Sequence, residues 1–219
     1  MKVRSAVSKL TAVIGDMVQS TALAPKSRAK AQLDFARLIL SLNQRFKVAV
    51  AARFVITTGD EFQGLLHDAT VIPDMVWLIE SEFRNRDFRL GFGFGKLHTP
   101  IQPAALNIDG PVLHHARAAI DLAGRRRLLG GVFEGFGNHD AVLTGFAQIL
   151  RHTRERMTPK QFQVLNLLRQ GNTQMDTATK LHISKQGISH HAIAAGWESY
   201  RLAECGWKAA LSLATGGKP

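Results

Sequence analysis

Two carboxylates, Asp60 and Glu61, follow Gly59 in the middle of the stretch "FVITTGDEFQGLLHD" (Phe54 to Asp68), an otherwise apolar run that alternates like a pair of β-strands. Solvating a surface turn needs no such placement. A third acid, Asp16, ends the apolar run "LTAVIGD". Brought to one place, three carboxylates repel one another unless a cation sits among them, and hard oxygen ligands of this kind suit Mg2+ or Mn2+ with a phosphate as co-ligand. The acids would then face a metal-bound nucleotide. The plainer alternative makes Asp60 a turn residue, leaves Glu61 solvated and has Asp16 cap the helix after it. The elements that carry the three residues decide between the two.

Leu10 to Asp16 reads as a short buried strand ending at Gly15. From Pro25 to about Lys47 the residues Leu33, Ala36, Leu38, Ile39, Leu42 and Phe46 recur at helical steps, and Pro25 suits a first turn. "RFVITTG" and "EFQGLLH" are β-rich runs so close together that only a tight hairpin joins them, with Gly59 and Asp60 at the turn. A second helix is expected over about Thr70 to Arg84, and "FRLGFGFGKL" reads as a fourth strand. The order β-α-β-β-α-β predicts an α+β, ferredoxin-like or palm domain: a four-stranded antiparallel sheet with helices on one face. In that topology the first strand lies beside the third and ends level with the hairpin, so Asp16 lands near Asp60 and Glu61.

The motifs "AVIGDMVQST", "TTGDEFQGLL", "LGFGFGKL" and "DGPVLHHARAAID" together resemble the SatD family of bacterial proteins, over most of the chain including its C-terminal segment. The first two are also similar to the palm domains of class III nucleotidyl cyclases and GGDEF diguanylate cyclases. That likeness implies Asp16 and Asp60 as metal ligands, Glu61 as the second acid of the GGDEF turn, and Met17, Val18, Gln19, Ser20 and Thr21 as a loop receiving phosphates through backbone N–H groups. The departures bear on catalysis. Where class III cyclases carry an Asn and, four residues on, an Arg, this chain has His114 and Ala118. Arg117 is one residue out of register, about 100° around a helix, and is expected to point elsewhere. Thr58 replaces the first Gly of the GGDEF turn. Nucleotide binding survives these changes better than cyclisation does.

In "LGFGFGKL" the residues Leu90, Phe92 and Phe94 fall on one strand face, and Gly91, Gly93 and Gly95 leave the other as bare backbone. A closely packed element is expected there in preference to a ligand. A Walker loop is rejected, since the spacing to Lys96 is short by one and Leu97 replaces the hydroxyl residue. His114 and His115 face different ways on a helix and make a poor metal site. "GRRRLLGG", Gly124 to Gly131, is read as a solvated basic helix end.

The C-terminal segment carries a helix opened by Thr158-Pro159 and closed by Gly171, a short helix from about Thr173 to Leu181, and another from Ser184 to Ala195. Ala178, Leu181, Ile183 and Ile188 sit where a helix-turn-helix buries residues, and His182 at the turn requires a strained backbone where Gly is usual. A second helix of this kind enters the DNA major groove, which would expose Ser184, Lys185, Gln186, Ser189 and His190 to base edges and phosphates. The alternative is a helical hairpin that only packs or dimerises. Trp197 to Ala214 reads as an amphipathic helix with Trp197, Tyr200, Leu202, Trp207 and Leu211 on its apolar face.

The composition is that of a globular protein, with no apolar run long enough for a membrane span. A short, interrupted apolar N-terminus makes a cleaved signal unexpected, and the single Cys205 cannot form an internal disulfide, which together point to the cytoplasm. A formal net charge of +11 favours a polyanionic partner, and residues 151–219 are the more basic part, with ten Lys and Arg against four Asp and Glu. The sequence therefore predicts a palm-like domain over residues 1–150 and a helix-turn-helix domain over 151–219. The expected function is a DNA-binding regulator whose palm binds a nucleotide with a divalent cation. The rival is a metal-dependent nucleotidyl cyclase or related nucleotidyltransferase. Expected partners are double-stranded DNA, a nucleotide and a second copy of the chain, because palm cyclases build sites between chains and helix-turn-helix proteins bind as two-fold dimers.

Overall fold

The apolar run of Leu10–Met17, buried at every position but Asp16, forms the central strand, β1, of a five-stranded sheet. The computed structural model describes residues 9–18, 25–83 and 86–217. Strands β2 (Val50–Thr58) and β3 (Glu61–Leu66) are the expected hairpin, turning at Gly59 and Asp60. β1 pairs antiparallel with β3 on one side and with β4 (Phe88–Gly95) on the other. The register sets Asp16 opposite Glu61 and also opposite Arg89. Beyond β4 lies β5 (Val132–Glu134), parallel to it, and the order is β2-β3-β1-β4-β5.

Helices cover both faces. On one, the side chains of Val13, Phe62, Leu90 and Phe92 meet α1 (Pro25–Arg45), α2 (Ile72–Glu82), α4 (Asp140–Glu155) and α8 (Trp197–Thr215). On the other, Leu10, Ala12, Ile14 and Leu65 pack against α3 (Pro111–Arg126). The expected four-stranded antiparallel sheet with helices on one face is thus corrected to a mixed five-stranded sheet with helices on both. The bare face of β4 explains the difference. Gly91, Gly93 and Gly95 leave a trough in which α3 lies so close that a β-carbon at Gly93 would stand 2.2 Å from the Ala116 nitrogen and 2.3 Å from the Val112 oxygen. The chain then continues from α3 into β5, which pairs with β4 on the side of the sheet away from β2.

The larger apolar cluster runs from Val13 through Phe92 and Leu150 to Phe162, Trp207 and Leu211, so the sheet layer and the C-terminal helices share one core. In α1 the buried residues are Ala31, Phe35, Leu38, Ile39 and Leu42, while Leu33 and Leu40 face out. Helices α5 (Pro159–Arg169), α6 (Gln174–Leu181) and α7 (Lys185–Ala194) follow α4. Among the described residues no helix is long and apolar enough to cross a membrane.

Charged groups pin α2, α4 and α8 together inside this core. Arg154 is buried and pairs through two nitrogens with Glu80, and it donates to the Tyr200 hydroxyl at 2.6 Å. Burial pushes the Tyr200 hydroxyl up to about 12, against the pull of Arg154. Nearby, Arg169 pairs with Glu204 and Asp74 and lies 4.8 Å over the Trp77 ring, which itself stacks on Phe162.

A methyl group at Gly93 must displace α3's backbone, and overpacking of that kind costs typically about 1–3 kcal/mol. Gly93→Ala should therefore lower stability by about 3 kcal/mol, at the upper end. Gly59→Ala, where an added β-carbon meets none of the described residues within 4 Å, should leave it near the parent value. Urea unfolding of the two variants and the parent measures the contrast.

Candidate functional site

Period-two alternation puts Ile14 and Asp16 of β1, Glu61 and Gln63 of β3, and Arg89 and Gly91 of β4 on the sheet face that α3 covers. Where α3 passes the sheet's end it presents Arg117, Asp121, Gly124 and Arg125, at helical spacing. Together with Asp16, Glu61 and Arg89 these residues line an open cleft of about 350 Å³.

Both carboxylates in the cleft are held by arginines. Arg89 donates from Nε to Asp16 Oδ1 at 3.0 Å and from Nη2 to Oδ2 at 2.6 Å. Arg117 donates from Nη1 to Glu61 Oε2 at 2.6 Å and from Nη2 to Oε1 at 2.8 Å, and the Thr57 hydroxyl adds a bond to Oε1 at 3.0 Å. Gly124 gives Arg89 its room, since a β-carbon there would lie 3.1 Å from Arg89 Nη1. The two acids differ in electrostatics. Burial pushes the Asp16 carboxyl above the ordinary range against the opposing Arg89 charge, and Asp60 and Glu61 add to the rise. The Arg117 hydrogen bonds hold Glu61 below its usual value, and Glu61 in turn raises Arg117.

The expected convergence of Asp16 with the hairpin acids is present, but what neutralises them differs from expectation. Arg117 does not point away from the site. Helix α3 begins at Pro111 and lies in the glycine trough at an angle that a register count against another family's motif does not predict. With both oxygens of Asp16 and of Glu61 engaged by guanidinium groups, these residues as arranged do not fit a Mg2+ or Mn2+ ion. Among the described residues no group of three or more His, Cys, Asp and Glu side chains could hold one. The N–H groups of Met17 and Val18 are also spent, on the Asp60 carbonyl at 3.1 Å and the Asp87 carbonyl at 2.9 Å. Gln19, Ser20 and Thr21 lie outside the described residues. His114 bonds Asp109 and His115 the Phe94 carbonyl, so the pair is divided as expected. Sequence reading missed Arg89, Asp121 and Arg125. Arg89 was within reach, because the alternation that puts Gly91, Gly93 and Gly95 on one face puts Arg89 with them.

The C-terminal helices present a second candidate. Thr158 and Thr173 open α5 and α6 with reciprocal capping boxes to Gln161 and Asp176. His182 takes the left-handed conformation, φ 52°, and turns the chain from α6 into α7, where Ser184 caps by accepting from the Gly187 N–H at 3.1 Å. Val164, Ala178, Ile188 and Ala192 form the small core between the three helices, with Leu181 and Ile183 at its margin. Ser184, Lys185, Gln186 and His190 are exposed on the opening turns of α7, and Ser189 is half-buried.

The sheet site makes a pH prediction with opposite signs at its two acids. Glu61 is depressed, so its pair contributes stability that is present above the unfolded pKa of about 4.3 and is lost as pH falls through the folded value. Asp16 is raised, so its contribution is present below about 3.9 and is lost as pH rises through the folded value, which makes its charge a cost at neutral pH. Glu61→Gln should lower the melting temperature at neutral pH and by less in acid, while Asp16→Asn should leave it unchanged or raise it at neutral pH. A greater loss for Asp16→Asn in neutral melting curves contradicts the arrangement.

No curated protein matches the sequence. A protein-family model described as the SatD family matches residues 10–195, a span that takes in all five strands and helices α1 to α7. On that match across most of its length, the chain belongs to the SatD family.

Proposed function

We propose that the chain is a DNA-binding regulator in which α6 and α7 form a helix-turn-helix and α7 enters the major groove. The observation that carries this reading is the left-handed turn at His182. It folds α7 across the small Ala178 and leaves Ser184, Lys185, Gln186 and His190 outward on the helix's first turns. Residues at the start of such a helix are those that reach base edges, with Gln suited to adenine and Lys to guanine or phosphate. The net charge of +11 supplies the sequence-independent attraction.

For the sheet layer we propose a palm-type regulatory domain whose cleft receives a nucleotide through phosphate contacts to Arg117 and Arg125. Three guanidinium groups there face three carboxylates, so the cleft has little net pull on an anion, and binding proceeds by exchange of the Arg117–Glu61 pair. The rival reading, metal-dependent nucleotidyl transfer, needs carboxylates open to a cation, and Arg89 and Arg117 occupy them.

Two measurements check these roles. Duplex affinity should fall steeply with added salt, and Lys185→Ala with Gln186→Ala should flatten sequence preference, each lost base contact being worth roughly 1–3 kcal/mol. Unchanged preference among duplexes selected from a random pool counts against α7 as the reading helix. Separately, a triphosphate at a hundredfold excess over its dissociation constant should stabilise the parent by roughly 2.7 kcal/mol, and Arg117→Ala should gain much less. Equal thermal shifts in both proteins, or none across a panel of nucleotides, rule out the cleft as a nucleotide site.

A further inference from the structure

We infer that two copies of this chain associate through the outward face shared by α4 and α8, forming a two-fold, four-helix contact. These helices run antiparallel side by side, since Arg154 near the end of α4 reaches Tyr200 near the start of α8, and Phe146 lies across Gly206. Their inward residues, Leu143, Ala147 and Leu150 on α4 and Trp207 and Leu211 on α8, fill the core. The opposite face is also apolar. Val142 is 50% exposed, Ile149 64%, Leu202 58% and Leu213 56%.

Gly145 shows that this face is built to be approached. It sits in the interior of α4 between Val142 and Ile149, where glycine costs a helix roughly 0.5–1 kcal/mol relative to alanine. A β-carbon there would meet none of the described residues within 4 Å, so no contact with them requires the glycine. Its absent side chain instead leaves room for a helix from outside. By contrast, Gly206 has an internal reason, because Phe146 would stand 3.3 Å from its β-carbon.

The occupant is a second copy, on grounds of area and charge. α4 has 16 residues and α8 has 19, so the paired helices offer a face roughly 25 Å long and 20 Å wide. That outline is about 500 Å² per partner, or about 1,000 Å² for the pair, at the lower edge of the range of specific interfaces. Two copies carrying +11 each repel everywhere that their Lys and Arg meet. Val142, Gly145, Ile149, Leu202 and Leu213 leave the middle of this face uncharged, while His152, Arg156 and Glu198 gather where α4 ends and α8 begins, and Arg201, paired with Glu198, flanks Leu202. A polyanion or an acidic protein gains nothing from an uncharged patch, whereas a two-fold axis sets the antiparallel pair on its copy as in a helical bundle. The face is remote from the Asp16 cleft, so the expected site shared between two palm domains is not this contact. The inference does not rest on the DNA reading.

The chain's single cysteine, Cys205, is exposed on α8 beside this face and serves as a reporter. Light scattering at micromolar concentration should give twice the 24.1 kDa chain mass. Ile149→Glu and Leu213→Glu should each bring it to one chain with helical circular dichroism unchanged. A nitroxide on Cys205 of the otherwise unaltered protein should show dipolar coupling to its copy at a separation comparable to the width of the face, about 20–25 Å. A single-chain mass for the unaltered protein, a two-chain mass that survives both glutamates, or absence of coupling in a two-chain species overturns the proposal.

Discussion

Helix α3 lies so near the sheet that β-carbons at Gly91 and Gly93 would stand 2.5 Å and 2.2 Å from its backbone, and the layout of the sheet site follows from this approach. The glycines cost β4 side-chain packing and conformational freedom. In exchange they let a whole helix settle against bare backbone, where Val112, Ala116 and Ile120 meet Ala12, Ile14 and Leu65. That seat carries Arg117 to Glu61 and opens space beside Gly124 for Arg89 to clasp Asp16. Four charges become two ion pairs, Arg89 with Asp16 and Arg117 with Glu61.

A second constraint ties the C-terminal helices to this frame. Arg154 is buried with Glu80 and Tyr200, and removing one member of such a pair strands a charge at a cost of about 3–5 kcal/mol, although the intact pair adds little net stability. Its effect is to fix position, locking α2, α4 and α8 in one arrangement. Arg151 extends the chain of contacts to Asp87, whose carbonyl receives the Val18 N–H beyond the end of β1. Trp77 of α2, stacked on Phe162 of α5, does the same for the first of the three C-terminal helices. The sheet layer and α5 are therefore packed on each other, and α6 and α7 join them through the small cluster of Val164, Ala178, Ile188 and Ala192.

Much of this was legible in the residues. Leu10 to Asp16 was readable as a short buried strand and the runs around Gly59 as a hairpin, and the β-α-β-β-α-β order set the first strand beside the third, so the approach of Asp16 to Glu61 followed from topology. Gly91, Gly93 and Gly95 announced a close neighbour, and the Thr158, Thr173 and Ser184 caps marked the C-terminal helix starts. His182 was recognisable as a strained turn. What escaped has physical causes. β5 is three residues long, too short for any period to register. In α1 the apolar spacing found Leu38, Ile39 and Leu42 but also took in Leu33 and Ala36, which face out, and passed over Ala31 and Phe35. Leu202 likewise faces out, while Glu204, paired with Arg169, goes in. The arginine partners of the acids depend on where α3 lies across the sheet, a tertiary fact that neither spacing nor comparison with a cyclase motif contains.

The proposed nucleic-acid surface is the opening turns of α7, in preference to another basic feature, the helix end at Arg125, Arg126 and Arg127. Hydrogen exchange on the full chain, with and without a mixed-sequence duplex at low salt, compares the two directly. Protection confined to the segment from Ser184 to His191, with the amides around Arg126 unchanged, is the predicted result. Protection at Arg125 to Leu128 with α7 exchanging as in the free protein would contradict it.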